Sequence, residues 1–161
     1  MPVEKIIVNA SPLILLFNSE LDFILPELFK EIAVPDAVWK EITDSCGSDK
    51  ASQMIADTRW IKRVYVKPVE DVVRWDLGAG ETEVLSFAIV NSEYRPVIDD
   101  SAGKKCAVSL GVHTIGTGSL LILAKEKGLI DSVEKSLVKL KNSGMWISES
   151  VIKLLKEKAG E

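Results

Sequence analysis

The chain predicts an α/β fold: a three-layer α/β/α sandwich around a short central parallel sheet, with residues 1–161 forming one domain. Three observations carry this expectation. Runs such as Ile6-Ile7-Val8 and Ile32-Ala33-Val34 are apolar without interruption, as in strands buried on both faces. They alternate with segments of helical periodicity, and that order implies parallel crossovers. The length of 161 residues, 47% apolar and 27% charged, supports a core that needs no disulfide or zinc.

Taken in order, Ile6-Ile7-Val8 is the first strand. Ser11-Pro12 reads as a helix N-cap followed by proline at the first helical position, with the helix running from Leu13 to Asn18. A second helix is expected over Leu21–Phe29, kinked or divided at Pro26. Ile32-Ala33-Val34 is the second strand, and Pro35-Asp36 opens a helix carrying Val38, Trp39, Glu41 and Ile42. Residues 44–49 are a loop, Ala51–Asp57 a helix, and Val64-Tyr65-Val66 a third strand. An irregular stretch follows, ending in Leu77-Gly78-Ala79-Gly80. The helix starting near Glu81 places Val84, Leu85, Ala88 and Ile89 on one face. Next come a strand at Val97-Ile98, a helix over Ser101–Leu110, a strand over Val112–Ile115, and a helix from Thr117 to Lys127 closed by Gly128. Two amphipathic helices, near Ser132–Lys141 and Ser148–Lys158, finish the chain. These last helices, over about 130–161, are expected to pack on the domain or at a dimer interface.

Bulk properties narrow the function. Twenty Lys and Arg against 24 Asp and Glu give a formal charge of −4, which argues against nucleic-acid binding through overall charge and leaves room for a local basic patch. Cys46 and Cys106 have no Cys or His at metal-binding spacing, and two isolated thiols suit a reducing cytoplasm. Leu13-Ile14-Leu15-Leu16-Phe17 is far shorter than the ~20 apolar residues of a membrane span. No signal segment is apparent, so a cytoplasmic protein with no membrane partner is expected.

Asp99-Asp100 is the most informative feature. The pair follows an apolar strand, where two carboxylates are costly unless a cation meets them. Hard divalent ions suit all-oxygen ligand sets. In a parallel sheet, ligands gather outside the carboxyl ends of the strands. Asn9, after strand one, should therefore open onto the same edge as Asp99 and Asp100. Glu41 lies three residues after Val38, near the face that Val38 and Ile42 turn inward. Glu81 sits in the first turn of its helix, where an acid is also favoured by the exposed N–H groups. Glu83 is about 200° further round, so the two cannot share a site, and the inward face favours Glu81. A helix cap accounts for one of Asp99 and Asp100, not both.

These pieces together resemble the PIN-domain family, in the branch related to the VapC ribonuclease toxins of toxin–antitoxin pairs. The resemblance rests on Val8-Asn9-Ala10-Ser11-Pro12-Leu13-Ile14, Val34-Pro35 with Val38-Trp39-Lys40-Glu41, Gly78-Ala79-Gly80-Glu81-Thr82-Glu83, Ile98-Asp99-Asp100 and Gly116-Thr117-Gly118-Ser119-Leu120-Leu121. It implies a small α/β/α sandwich that binds Mg²⁺ or Mn²⁺ and hydrolyses RNA. Glu41, Glu81 and Asp100, with Asp99 beside it, would be the catalytic acids, and Asn9, Glu41, Glu81 and Asp100 the metal ligands. It also implies a homodimer and an antitoxin partner.

The chain departs from that pattern at Asn9, where the family carries aspartate. One formal charge at 4 Å is worth about 4 kcal/mol at an effective dielectric of 20, and a divalent ion doubles that before desolvation is counted. A weakened relative that binds RNA or protein without turnover is therefore the second reading. A doubly wound small-ligand module ranks last, because Gly78-Ala79-Gly80 does not continue as a phosphate-binding loop. Ser11, Lys104, Lys105 and Thr117 are candidate substrate contacts, with Arg59, Lys62 and Arg63 a further basic group. Solvated lysines and helix capping are the plain alternatives for these residues. His113, the only histidine, reads as structural, and the four tryptophans as packing residues.

Overall fold

A computed structural model describes residues 3–44 and 50–161. The loop expected over 44–49 thus falls, beyond Asp44, outside the described residues, as does Cys46. The chain folds as a three-layer α/β/α sandwich. Four parallel strands, β1 (Lys5–Val8), β2 (Glu31–Pro35), β3 (Ile61–Val64) and β4 (Tyr94–Val97), lie in the order β3-β2-β1-β4. Ile6, Ile7, Val8, Ala33, Val34 and Val97 are wholly buried, so both faces of the sheet are covered.

The helices are α1 (Ala10–Asn18), α2 (Ile24–Leu28), α3 (Asp36–Asp44), α4 (Lys50–Met54), α5 (Glu70–Val73), α6 (Ala79–Val90), α7 (Ser101–Ser109), α8 (Thr117–Glu126), α9 (Val133–Asn142) and α10 (Glu149–Lys158). α6 packs on β1, β2 and β4, α3 packs on β2 and β3, and the two helices touch each other. α2 lies against β2 and α8, and α8 in turn carries α9 and α10. Gly118 makes the last contact possible: a Cβ there would stand 2.7 Å from a Leu155 methyl carbon. Among the described residues, no helix is long and apolar enough to cross a membrane.

Several boundaries differ from the sequence expectation. α1 is capped by Asn9, whose backbone is extended and whose carbonyl accepts from Leu13 N–H at 3.4 Å; Ser11 is an exposed residue inside the helix. Pro12 remains in the first turn, where its missing N–H costs nothing. α2 starts late, so that Pro26 also falls within a first turn. β3 ends at Val64 because β2 ends opposite it at Pro35, leaving Tyr65 and Val66 no strand to pair with. β4 begins earlier than expected, at Tyr94.

The strand expected over Val112–Ile115 is reduced to one bridge between Ile115 and Val97. Residues 110–112 close the end of α7 instead: Val112 N–H donates to Ala107 O at 2.8 Å, and Gly111 takes φ +73° to turn the chain. Too little extended chain remains to pair. α5 lies within the stretch read as irregular. Four residues with only Val72 buried are too short to display a period.

Candidate active site

All four strands run parallel, so their carboxyl ends share one edge. Asn9 follows β1, its N–H donating to Val97 O at 3.1 Å before the chain turns into α1. Asp99 and Asp100 follow β4 by way of Ile98. α3 leaves β2 directly and brings Glu41 to the same edge, while α6 brings Glu81 from the other side.

Gly80 is the floor on which these groups meet. A Cβ there would lie 3.1 Å from Glu41 Oε2, 3.1 Å from Val38 Cγ2 and 3.5 Å from Asn9 Oδ1. Glu81 reaches toward α7, where its Oε2 would be 3.5 Å from a Cβ on Gly103. Burial pushes the Glu81 carboxyl above its ordinary value, and the charges of Asp100 and Glu41 push it the same way, while a hydrogen bond from Asn9 opposes them. Asn9, Glu41, Glu81 and Asp100 are therefore brought together.

Glu83 points elsewhere: its Oε1 accepts the Ala37 N–H at 3.1 Å and holds the first turn of α3. Asp100 caps α7, accepting from Gly103 N–H at 3.0 Å, and remains exposed. Asp99 is committed to α8. Its Oδ1 accepts Thr117 N–H at 2.8 Å and its Oδ2 accepts the Thr117 hydroxyl. Each acid of the pair thus serves a helix start, and Asp100 alone also faces Glu81.

Thr117 is fully buried, so as a substrate contact it is corrected: its hydroxyl holds Asp99. Gly116 lies under that clasp, for a Cβ there would be 3.3 Å from Asp99 Oδ1 and 4.0 Å from Lys104 Nζ. Ser11, Lys104 and Lys105 are exposed. Within the expected basic group, Arg63 is taken up by Asp36, which accepts from its Nε at 3.0 Å. Asp36 was overlooked as an acid at a strand end, and Arg63 together with Lys40, whose Nζ stands 3.1 Å away, balances its charge. The sequence signal for that pairing was weak, because Asp36 and Arg63 lie 27 residues apart.

The donor chemistry of the edge fits a hard divalent cation: one amide oxygen and three carboxylates, with a glycine where a side chain would fill the space. The fit is open rather than preformed. Among the described residues, no three His, Cys, Asp or Glu side chains form a group that could hold an ion as it stands. Glu41 is exposed, and Asp100 is exposed while its carboxylate caps α7. A cleft of about 600 Å³ lies at the opposite end of the sheet, lined by Lys5, Tyr94, Arg95 and His113 among others, and holds none of these acids.

Compared with known families, residues 5–161 match DUF3368, a family model described as a PIN domain. No curated protein matches the chain.

Proposed function

The chain belongs to the PIN-domain family, whose members are generally nucleases, and from that premise we propose that it hydrolyses RNA phosphodiesters with Mg²⁺ or Mn²⁺. Glu41, Glu81 and Asp100 would hold the ion, with Asn9 contributing its carbonyl oxygen. The observation that carries this reading is geometric: Glu41 and Asn9 converge on Gly80, and Glu81 reaches Gly103, whose N–H Asp100 accepts. The charges of Asp100 and Glu41 add to burial in raising the Glu81 carboxyl. A divalent ion held there lowers the pKa of water and stabilises charge on the phosphate oxygens.

The chain's own residues supply the remainder. Glu81, raised by burial and by the charges of Asp100 and Glu41, is the acid whose ionised form a bound cation would favour most. Asp99 acts as a positioning residue, fixing the start of α8 through Thr117. Lys104, Lys105 and Ser11 are exposed, and they are the groups proposed to meet phosphates. The biological role proposed is the toxin of a toxin–antitoxin pair, homodimeric and acting in the cytoplasm. The exposed residues Trp146, Val151 and Leu154 offer a surface for the second copy or the antitoxin.

The test is incubation of purified protein with single-stranded RNA and Mn²⁺ or Mg²⁺. Cleavage is expected with metal and not with EDTA, and Asp100→Ala should lower it at least ~100-fold. Undiminished cleavage by that variant would falsify the site.

Asn9 favours a second reading, a binding module without turnover, because its amide already satisfies Glu81. Tight RNA binding without cleavage at any divalent-ion concentration would select it.

A further inference from the structure

We propose that Trp39, Arg63 and Tyr65 form a stacking platform that holds an unpaired RNA base on the β3 side of the acid edge. The Arg63 guanidinium stands 5.0 Å from the Trp39 ring centre and 5.5 Å from that of Tyr65. Asp36 pins it in place, accepting from both Nε and a terminal nitrogen. Cation and rings are thus already ordered, and little conformational entropy remains to be lost on binding.

Tyr65 is 77% exposed. It follows β3 by one residue, two positions after Arg63, whose guanidinium lies over its ring. Because the sheet is parallel, the end of β3 opens on the same edge as Asn9, two strands away or ~10 Å. α3 carries both Trp39 and Glu41, about 200° apart around the helix, so it borders both regions with different faces.

Asp36 carries one negative charge against Arg63 and Lys40, and Lys67 is exposed nearby in sequence. With Glu83 bound to Ala37 N–H beside them, these charges balance locally, and Arg63 presents its guanidinium plane to the rings. Aromatic rings and guanidinium planes bind bases through their π faces whatever the sequence, and unpaired RNA presents those faces. The chemistry favours single-stranded RNA over an acidic peptide, whose side chains would use the charge and leave the Tyr65 ring idle.

The inference deepens the nuclease reading by naming where substrate rests, and its test separates the two. Fluorescence anisotropy of a labelled single-stranded oligoribonucleotide in EDTA reads binding without cleavage. Tyr65→Ala is expected to weaken binding ~5- to ~100-fold, whereas Tyr65→Phe retains it. Arg63→Lys, which keeps the charge and loses the flat contact, should weaken it several-fold. Tyr65 is exposed, so these effects are not a failure to fold; far-ultraviolet circular dichroism confirms that.

Equal affinity of Tyr65→Ala and the unaltered protein overturns the platform, and metal-dependent cleavage persisting alongside would leave the hydrolase reading intact. Tyr65-dependent binding with no cleavage under any divalent ion supports the platform and removes the hydrolase. An unaltered protein that ignores the oligonucleotide but binds an acidic peptide overturns the platform.

Discussion

At the scale of single residues, Glu81 is the acid of the edge whose carboxyl is pushed up by its surroundings. Its folded pKa lies above the ordinary 4.5, chiefly through burial and then through Asp100 and Glu41. A carboxyl raised in this way keeps its proton in the folded state over a range where the unfolded chain has lost it. Stability therefore falls as pH climbs from about 4.5 through the raised value, and stays lower above it. Glu81→Gln removes the burdened charge. Thermal melts without metal should show the variant up to ~2 °C more stable at pH 7, with the gap closing below pH 4.5. A variant less stable at pH 7 would mean that the hydrogen bond from Asn9 outweighs the repulsion.

Single residues also show where sequence reading succeeded. The choice of Glu81 over Glu83 followed from helix angles, and Glu83 is indeed spent on Ala37 N–H. The division of labour within Asp99-Asp100 was not legible. It depends on Thr117, 18 residues further on, arriving against Asp99.

Among the elements, the closing helices share a polar clasp at Glu161 in addition to their packing. Gly160, at φ +75°, reverses the chain after α10 and turns Glu161 back toward α9. There the carboxylate accepts Val133 N–H at 2.7 Å, Glu134 N–H at 3.1 Å and the Ser132 hydroxyl at 2.9 Å, completing the cap of α9. Lys125 of α8 joins it at 2.8 Å. The Lys125 ammonium, with help from those donors, holds the Glu161 carboxyl down at about 2.

Here the sign is opposite to that of Glu81. The stabilisation is complete above pH 4.5 and is lost as pH falls toward 2. Glu161→Ala should cost about 1–2 kcal/mol at pH 7, or ~3–6 °C in Tm, and nothing near pH 2. A pH-independent loss would point to packing rather than charge. The amphipathic pattern located α9 and α10 from sequence, but no pattern reveals which carboxylate caps which helix.

For the whole molecule, the acid edge is assembled from segments that are remote in the chain: Asn9, Glu41, Glu81 and Asp100. An ion that binds them all has no counterpart site in the unfolded chain, so binding must stabilise the entire fold. Millimolar Mn²⁺ should raise Tm, by ~5–11 °C if its concentration is 100 times Kd, and EDTA should reverse the shift. Asn9→Asp should enlarge it by adding a charge toward the ion. Identical melts with and without Mn²⁺ for both proteins would remove the metal site.

What the residues alone determined was the class of fold and the members of the edge. Uninterrupted β-branched runs must be buried on both faces, helical periods must pack one side inward, and parallel strands must end together. Those constraints are local; they put Asn9 and Asp99-Asp100 at one border, and the family resemblance added Glu41 and Glu81. What only the tertiary structure decided was which charges are already answered. Asp36 meets Arg63, Asp99 meets Thr117, Glu161 meets α9, and Glu81 meets Asp100, Glu41 and the Asn9 amide. Partners as remote as Asp99 and Thr117, 18 residues apart, or Asp36 and Arg63, 27 apart, leave no periodic trace, because electrostatic energy depends on distance in space and not on position along the chain.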